Sequence, residues 1–73
     1  MTFEEAETVW NDEHRVDAND EAHSQHEERR FTIGLSNRLR LLAVAYTERN
    51  ETIRIISARR ATKTETRRYT DQG

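Results

Sequence analysis

The chain contains no cysteine and no proline, and only two of its 73 residues are glycine. The lack of cysteine excludes disulfides and thiolate metal sites, and it indicates no particular redox compartment. No apolar run approaches the ~20 residues that a membrane-spanning helix requires. The chain also opens without the basic and then apolar segment of a secretory signal peptide. We therefore expect a soluble, cytoplasmic protein that makes no contact with a membrane.

Large apolar side chains are scarce, since leucine, isoleucine, valine and phenylalanine together make up 13 of the 73 residues. Charged residues make up 36% of the chain. A chain of this length buries only about 60% of the surface that its unfolded form exposes. The composition therefore predicts one small domain, spanning residues 1–73, with a marginal core.

The net charge of −2 conceals a strong asymmetry along the chain. Residues 1–28 have a net charge of −9, whereas residues 29–73 have a net charge of +7 and contain ten arginines but only one lysine. Arginine binds phosphate through two parallel hydrogen bonds, whereas lysine acts as a point charge. The basic half thus favours a polyanionic partner. Pairing of the two halves inside the fold accounts for the same charges equally well.

The first predicted element is a short helix over residues 3–10. A Thr-x-x-Glu capping box at Thr2 and Glu5 marks its start, and helical spacing places four apolar residues on one stripe. These residues are Phe3, Ala6, Val9 and Trp10. Trp10 could serve as a platform for stacked bases, but its place on the apolar stripe favours a core anchor.

Residues 11–28 are the least ordered by composition, since they contain no leucine, isoleucine or phenylalanine. A short edge strand is predicted over residues 14–18, and residues 17–21 are typical of a turn. His23 and His26 lie close together among acidic side chains. Two histidines without a firm third ligand favour a solvated loop over a metal site, so no metal is predicted here.

From Arg30 onward, apolar residues recur with the period of two that predicts strands. Three strands joined by tight turns make an antiparallel meander. They span residues 30–35, 39–47 and 52–58, with turns at residues 36–37 and 49–50. A last helix over residues 63–71 begins with a second capping box, from Thr62 to Glu65. The predicted class is therefore α+β, with three or four antiparallel strands between a short N-terminal helix and a C-terminal helix.

A two-residue turn at Arg49 and Asn50 would fix the register of the last two strands. It places Tyr46 on the core face and sets Arg54 opposite Ala45 on the other face. A guanidinium beside so small a residue would lie in a shallow depression suited to a phosphate. The alternative is that Arg54 extends past Ala45 to an acidic residue of the first half.

Four blocks of the sequence form a recognisable set. The most specific is IRIISARRAT at residues 53–62, with Glu65 and Tyr69 after it. The others are FEEA with Val9, Trp10 and Asp12 after it, ERRFTIG at residues 28–34, and LRLLAVAYTER at residues 39–49. Together these blocks, which cover nearly the whole chain, resemble the BrnT family of bacterial type II toxins.

The resemblance implies a RelE-like fold, in which helices pack on an antiparallel sheet, and a ribonuclease that arrests translation. It also implies a BrnA-type antitoxin as partner, which neutralises the toxin and represses their shared operon. RNA is then the substrate, and operator DNA is contacted only through the antitoxin. Family members usually begin earlier, with a further strand and helix, so this chain is expected to be an N-terminally truncated form.

The sequence contains no convincing acid–base pair, Gly-rich phosphate loop or metal-binding signature. A ribonuclease can act without them, because the 2′-hydroxyl of RNA can attack the adjacent phosphate when the enzyme aligns it and stabilises the growing charge. We predict that Arg54 and Arg59 clamp the scissile phosphate without a metal or other cofactor. Arg30 and Arg60 would hold the flanking backbone, and Tyr69 is the aromatic candidate for RNA contact.

Two other functions fit parts of the pattern. A catalytically inactive antitoxin-binding module, which only tunes operon repression, is favoured by the acidic first half and the expected truncation. A stand-alone RNA-binding domain has the arginines but lacks a row of aromatic residues along a strand. Substitution of Arg54 and Arg59 separates the nuclease from the module, since only a nuclease has cleavage to lose.

Overall fold

An antiparallel sheet forms the centre of the computed structural model, which describes residues 2–19 and 29–71. Its four strands within these residues are β1 (Val16–Asn19), β2 (Arg29–Leu35), β3 (Leu41–Arg49) and β4 (Thr52–Arg60). Each strand pairs with the next along the chain. Before the sheet come helix α1 (Phe3–Glu7) and a 3₁₀ helix (Thr8–Asn11), and after it comes helix α2 (Lys63–Thr70). The predicted α+β class and the helix–meander–helix order are confirmed.

The first face of the sheet packs against the N-terminal helices. The fully buried residues of this contact are Ala6, Val9, Leu42 and Val44. Trp10 packs beside them, and its ring meets that of Tyr46 edge-on with 5.1 Å between the ring centroids. The predicted core face of β3 and the core position of Trp10 are therefore confirmed.

The second face of the sheet combines an apolar centre with a polar margin on β4. Residues that lie opposite each other in an antiparallel pair share a face. By this register the second face contains Phe31, Ile33, Ala43, Ala45, Thr47, Arg54, Ser57 and Arg59. Ile33 and Ala43 are buried, whereas Arg54 and Ser57 are exposed. The second face therefore offers its arginines along β4, at the margin of the four-stranded sheet described.

Gly34 on β2 allows the 3₁₀ helix to approach the first face closely. A Cβ atom at this position would lie 2.7 Å from Val9 Cγ1 and 3.0 Å from Arg15 Cβ. Real Cβ atoms do not approach other atoms so closely, so a side chain here would displace the helix from the sheet.

The turn between β3 and β4 is formed by Asn50 and Glu51, one position beyond the predicted pair. Both residues have positive φ angles, 53° and 67°, as a type I′ hairpin turn requires. The predicted turn would have placed Arg49 in this left-handed region, which asparagine tolerates better. The predicted register was therefore wrong by two residues, and Tyr46 lies opposite Ile55.

An irregularity between Ala45 and Tyr46 shifts the pairing by one further residue. Beyond it Ala45 lies opposite Ser57, whereas Arg54 lies opposite Thr47. The predicted pairing of Arg54 with Ala45 is therefore wrong. Between the turn and the irregularity the predicted faces survive, because a slip of two residues preserves the alternation of side chains along a strand. The further shift of one residue reverses the faces beyond it, so Ser57 lies with Ala45 on the second face and not on the predicted core face.

Three further predictions need correction. Phe3 is 58% exposed although Ala6 and Val9 of the same predicted stripe are fully buried, so the first residue of α1 lies outside the core contact. Leu39 is 78% exposed and has a φ of 60°, so it belongs to the turn between β2 and β3. Asp17 pairs with Thr32 within β1, so pairing with β2 overrides the local turn signal there. Residues 20–21, at the end of that predicted turn, lie outside the described residues.

One of the two predicted capping boxes is complete in the structure, and the other is half formed. At α1, Thr2 Oγ1 accepts a hydrogen bond from Glu5 N at 3.2 Å, but the Glu5 side chain turns inward to Arg40. At α2, both halves of the box between Thr62 and Glu65 are present. The first box is thus half formed, and the second is confirmed.

Replacement of Gly34 by alanine should lower the free energy of unfolding by about 1–3 kcal/mol, because the new methyl group overpacks the contact with Val9. Urea denaturation measures this loss. In a Val9→Ala background the clashing Cγ1 atom is absent, so the same substitution should cost less there. Equal losses in both backgrounds would contradict the close approach of the helix.

Replacement of Glu51 by glycine should raise the free energy of unfolding by about 1 kcal/mol, because glycine adopts a positive φ without steric cost. The matched control is Glu48→Gly, which places glycine within β3 and should destabilise the fold by about 0.5–1 kcal/mol. Thermal melts of the two variants should move in opposite directions. Shifts of the same sign would contradict the assigned turn.

Candidate functional site

The carboxylate of Asp12 joins three parts of the chain. Its Oδ1 accepts a hydrogen bond from His14 N at 2.9 Å. Its Oδ2 accepts from Leu35 N at the end of β2, at 2.8 Å, and from the Tyr69 hydroxyl of α2, at 2.6 Å. Burial raises the pKa of Asp12, but these hydrogen bonds, that of Tyr69 foremost, outweigh it and lower the pKa below its ordinary value. Asp12 therefore stays ionised and holds α2 to the body of the fold.

The hydrogen bond to Asp12 also determines the chemistry of Tyr69. It raises the pKa of Tyr69 to about 12, because ionisation would place two negative charges side by side. At neutral pH the hydroxyl is therefore a fixed donor, and it is a poor general base. The ring of Tyr69, which is half-buried, is the part left for any contact with RNA.

A second buried carboxylate, that of Glu5, is bound by Arg40 and Ser36. Glu5 is only 6% exposed. Its Oε2 accepts from Arg40 Nε at 2.9 Å and from Ser36 Oγ at 2.7 Å, and its Oε1 accepts from Arg40 Nη2. The hydrogen bond from Arg40, followed by that from Ser36, holds the pKa of Glu5 below its ordinary value. Arg40 thus fastens α1 to the turn between β2 and β3.

Arg59, one of the two predicted clamp residues, is held in a fixed position on the second face. Its Nη1 and Nη2 donate to Oε1 and Oε2 of Glu65 at 2.6 and 2.8 Å. Its guanidinium carbon lies 5.5 Å from the centre of the Phe31 ring. The mutual hydrogen bonds raise the pKa of Arg59 and lower that of Glu65, so both groups remain charged at neutral pH.

Arg54, the other predicted clamp residue, lies on the same face of β4 as Arg59. Ser57 lies between them along the strand, and it faces Ala45 of β3. Arg54 is exposed, and within the described part of the chain no hydrogen bond or ion pair engages its side chain. Two arginines thus flank a pair of small side chains, which resembles the predicted phosphate depression at a different register position.

The remaining predicted residues do not join this group. Arg30 lies opposite Tyr46 and Arg60 lies opposite Leu42, so both belong to the first face, where they are exposed. Tyr69 is tied to Asp12 at the end of α2. The structure therefore brings Arg54 and Arg59 to one face and places the others elsewhere. The roles assigned to all five residues stay predictions.

Two acidic residues that the sequence reasoning left without a site role are central to this geometry. The sequence predicts that Glu65 caps α2, and in the structure Glu65 also binds Arg59. The capping pattern alone does not predict this second contact. An arginine before the start of a helix and an acidic residue in its first turn do, however, indicate an ion pair between them. Asp12 had no local signal, because its partners Leu35 and Tyr69 are distant in sequence.

The described residues contain neither a candidate metal-binding cluster nor a helix that could span a membrane. Among residues 2–19 and 29–71, no three acidic or histidine side chains converge in a way that could hold a metal ion. His23 and His26 lie outside these ranges. No helix in the described part of the chain is long and apolar enough to cross a membrane.

Residues 1–65 match the sequence model of a protein family described as ribonuclease toxin, BrnT, of type II toxin–antitoxin system. The matched region includes both predicted clamp residues, Arg54 and Arg59, and it ends at Glu65. No curated protein matches the chain. The family match agrees with the four blocks on which the sequence resemblance rests.

At pH 10, where a free tyrosine is half ionised, the folded protein should contain less tyrosinate than the unfolded chain. Burial raises the pKa of Tyr46 above 10.0, and Asp12 raises that of Tyr69 to about 12. The stability that these shifts supply is complete below pH 10 and is lost as the pH rises through the folded values. Ultraviolet absorbance measures the ionisation, and Tyr69→Phe leaves Tyr46 as the only tyrosine. Half-ionisation of the folded parent at pH 10 would contradict both assignments.

Proposed function

The chain belongs to the BrnT family of ribonuclease toxins of type II toxin–antitoxin systems, and from this premise we propose that it cleaves RNA without a metal ion on the second face of its sheet. The observation that supports this location is the placement of Arg54 and Arg59 on either side of the Ala45–Ser57 pair. Small side chains between two guanidinium groups leave space for a phosphate to approach the strand. The exposed hydroxyl of Ser57 is a further hydrogen-bond donor in that space.

The proposed reaction uses the nucleophile that RNA itself carries. The 2′-oxygen attacks the adjacent phosphorus and loses its proton to water, while the bond from phosphorus to the 5′-oxygen breaks. The leaving 5′-oxygen takes up a proton from water, so the products are a 2′,3′-cyclic phosphate and a 5′-hydroxyl. Negative charge grows on the non-bridging oxygens, where Arg54 and Arg59 stabilise it. Glu65 is a poor base for this reaction, because its bond with Arg59 lowers its pKa.

The arginines of the first face are proposed to hold the RNA beyond the scissile phosphate. Arg60 follows Arg59 on β4 but faces the opposite side, so RNA that crosses the margin of β4 can contact both. Arg30 lies on β2, and we assign it to a more distant part of the backbone. The Tyr69 ring is proposed to stack on a base.

An antitoxin partner is implied by the family, and we propose that it is of the BrnA type. It would neutralise the toxin and repress the operon, and operator DNA would be contacted only through it. The net charge of +7 on residues 29–73 supports an acidic binding surface on this partner. Neutralisation would then follow if the antitoxin covers arginines that RNA requires.

The contact of Arg59 with Glu65 favours a second function. Arg59 is already bound through two hydrogen bonds by Glu65, which offsets its charge. A chain whose clamp residue is neutralised in this way could be a catalytically inactive module that binds the antitoxin and tunes operon repression. The cleavage experiment below distinguishes this module from the nuclease.

The Arg54→Ala, Arg59→Ala double variant should cleave RNA at least about 100-fold more slowly than the parent, because two groups that stabilise transition-state charge are lost. The matched control is Arg38→Ala, Arg67→Ala, which removes two exposed arginines from the β2–β3 turn and from α2. Cleavage is followed on gels with a chelator present, after circular dichroism has verified that each variant is folded.

The outcomes separate the two functions. Loss of cleavage in the Arg54→Ala, Arg59→Ala variant alone supports the clamp. Equal loss in both double variants would show that net charge, and not the position of the arginines, determines the cleavage rate. A folded parent that binds an antitoxin but cleaves no RNA assigns the chain to the inactive module. Cleavage by the parent that disappears with the chelator contradicts the metal-independent mechanism.

A further inference from the structure

The guanidinium of Arg59 is fastened on three sides. Glu65 takes one hydrogen of Nη1 and one of Nη2, at 2.6 and 2.8 Å. The second hydrogen of Nη1 points to the carbonyl oxygen of Arg60 at 3.3 Å. The guanidinium lies over the ring of Phe31, with 5.5 Å between Arg59 Cζ and the ring centre. These contacts fix the direction in which the group points, although the side chain is still 50% exposed.

The arrangement leaves a specific pair of donors unused. A guanidinium has five N–H groups, and the contacts with Glu65 and Arg60 occupy three of them. The other two belong to Nε and to the outer side of Nη2, where they are parallel and form one edge of the plane. Among the described residues neither has a partner. Such an edge matches the spacing of two phosphate oxygens.

We propose that Glu65 is a positioning residue, which holds Arg59 so that its free Nε–Nη2 edge receives the scissile phosphate. This inference rests on the proposed function, because it requires RNA to bind at Arg59. Glu65 does not compete with a phosphate in this arrangement, since it occupies a different edge of the guanidinium. The contact instead removes the freedom that a long side chain would otherwise lose on binding.

The anchor of Glu65 is itself independent of Arg59. Thr62 N donates to Glu65 Oε1 at 2.8 Å, and Thr62 Oγ1 accepts from Glu65 N at 3.2 Å. The first turn of α2 therefore holds the carboxylate in place whether or not the arginine is bound. A partner that is fixed in this way can orient Arg59, whereas a mobile surface acid could not.

The opposite role for Glu65 is that of an intramolecular competitor. A carboxylate that receives two N–H groups imitates the two free oxygens of a phosphate, so Glu65 could reduce the affinity of Arg59 for RNA. The two roles predict changes of opposite sign when the charge of Glu65 is removed. The experiment is therefore decisive in direction as well as in size.

The Glu65→Gln variant is suited to this test, because glutamine also serves at the third helical position of a capping box. It should cleave RNA about 10- to 100-fold more slowly than the parent, as expected when a reacting group loses its alignment. Affinity is measured separately by fluorescence anisotropy, with a single-stranded RNA whose 2′-hydroxyls are methylated so that it cannot be cleaved. We expect weaker binding. Tighter binding would overturn the positioning role in favour of the competitor.

A double-mutant cycle with Arg59→Ala shows whether Glu65 acts through Arg59. In the Arg59→Ala background, Glu65→Gln should have no further effect on the cleavage rate. A purely structural role in α2 would slow cleavage equally in both backgrounds and would overturn the inference. The matched control is Thr64→Ala, which changes an exposed residue of α2 beside Glu65 and leaves the cap and the pair intact, and it should cleave at the parental rate.

The remaining outcomes separate this inference from the proposed function. If Arg59→Ala cleaves normally, the proposed clamp fails and the inference fails with it. If Arg59→Ala is slow but Glu65→Gln is normal, the clamp stands and only the positioning role is refuted. If circular dichroism shows that Glu65→Gln does not fold, Glu65→Asp replaces it in the same comparison. Aspartate keeps the charge, but its side chain is too short to form the same two hydrogen bonds with Arg59.

Discussion

The carboxylate of Asp12 is the contact on which the arrangement of this small fold depends. It receives hydrogen bonds from the turn before β1, from the end of β2 and from α2, through His14 N, Leu35 N and the Tyr69 hydroxyl. Helix α2 has no fully buried residue, so burial of apolar surface contributes little to its docking. The hydrogen bonds to Asp12 and the Arg59–Glu65 pair hold it instead. In a chain with so few large apolar residues, ionised carboxylates with several donors stand in for part of a core.

Within the described residues the acidic and basic halves of the sequence pair with each other only in part. Glu5 of the acidic half binds Arg40 of the basic half, so one part of the asymmetry is used within the fold. Arg54 and Arg60 remain exposed on β4 and are free of any such pairing within the described residues. The arginines therefore divide into those that assemble the structure and those that face solvent. The second group is available to a polyanion, and so is Arg59, whose contact with Glu65 leaves its Nε–Nη2 edge free.

The sequence predicted the elements of the fold better than their contacts. A period of two identified β2, β3 and β4, and the Thr62–Glu65 cap identified the start of α2. The register of the last hairpin could not be read in the same way, because it depends on which two residues adopt a positive φ and on an irregularity at Ala45. The contact of Tyr69 with Asp12 spans most of the chain, and no local pattern predicts such a pair.

The two arginines of the proposed clamp are not equivalent in physical terms. Arg54 is exposed, so in the proposed clamp it would attract RNA through its charge and would lose conformational freedom on binding. Arg59 forms part of a nearly neutral pair, so it attracts RNA less, but Glu65 and Phe31 have already fixed its orientation. Electrostatic attraction by a free guanidinium favours the encounter with RNA. A fixed orientation of the donors favours the transition state, because their alignment with the growing charge determines the rate. The proposed clamp, built from one free and one fixed guanidinium, would thus combine capture of the RNA with stabilisation of the reacting phosphate.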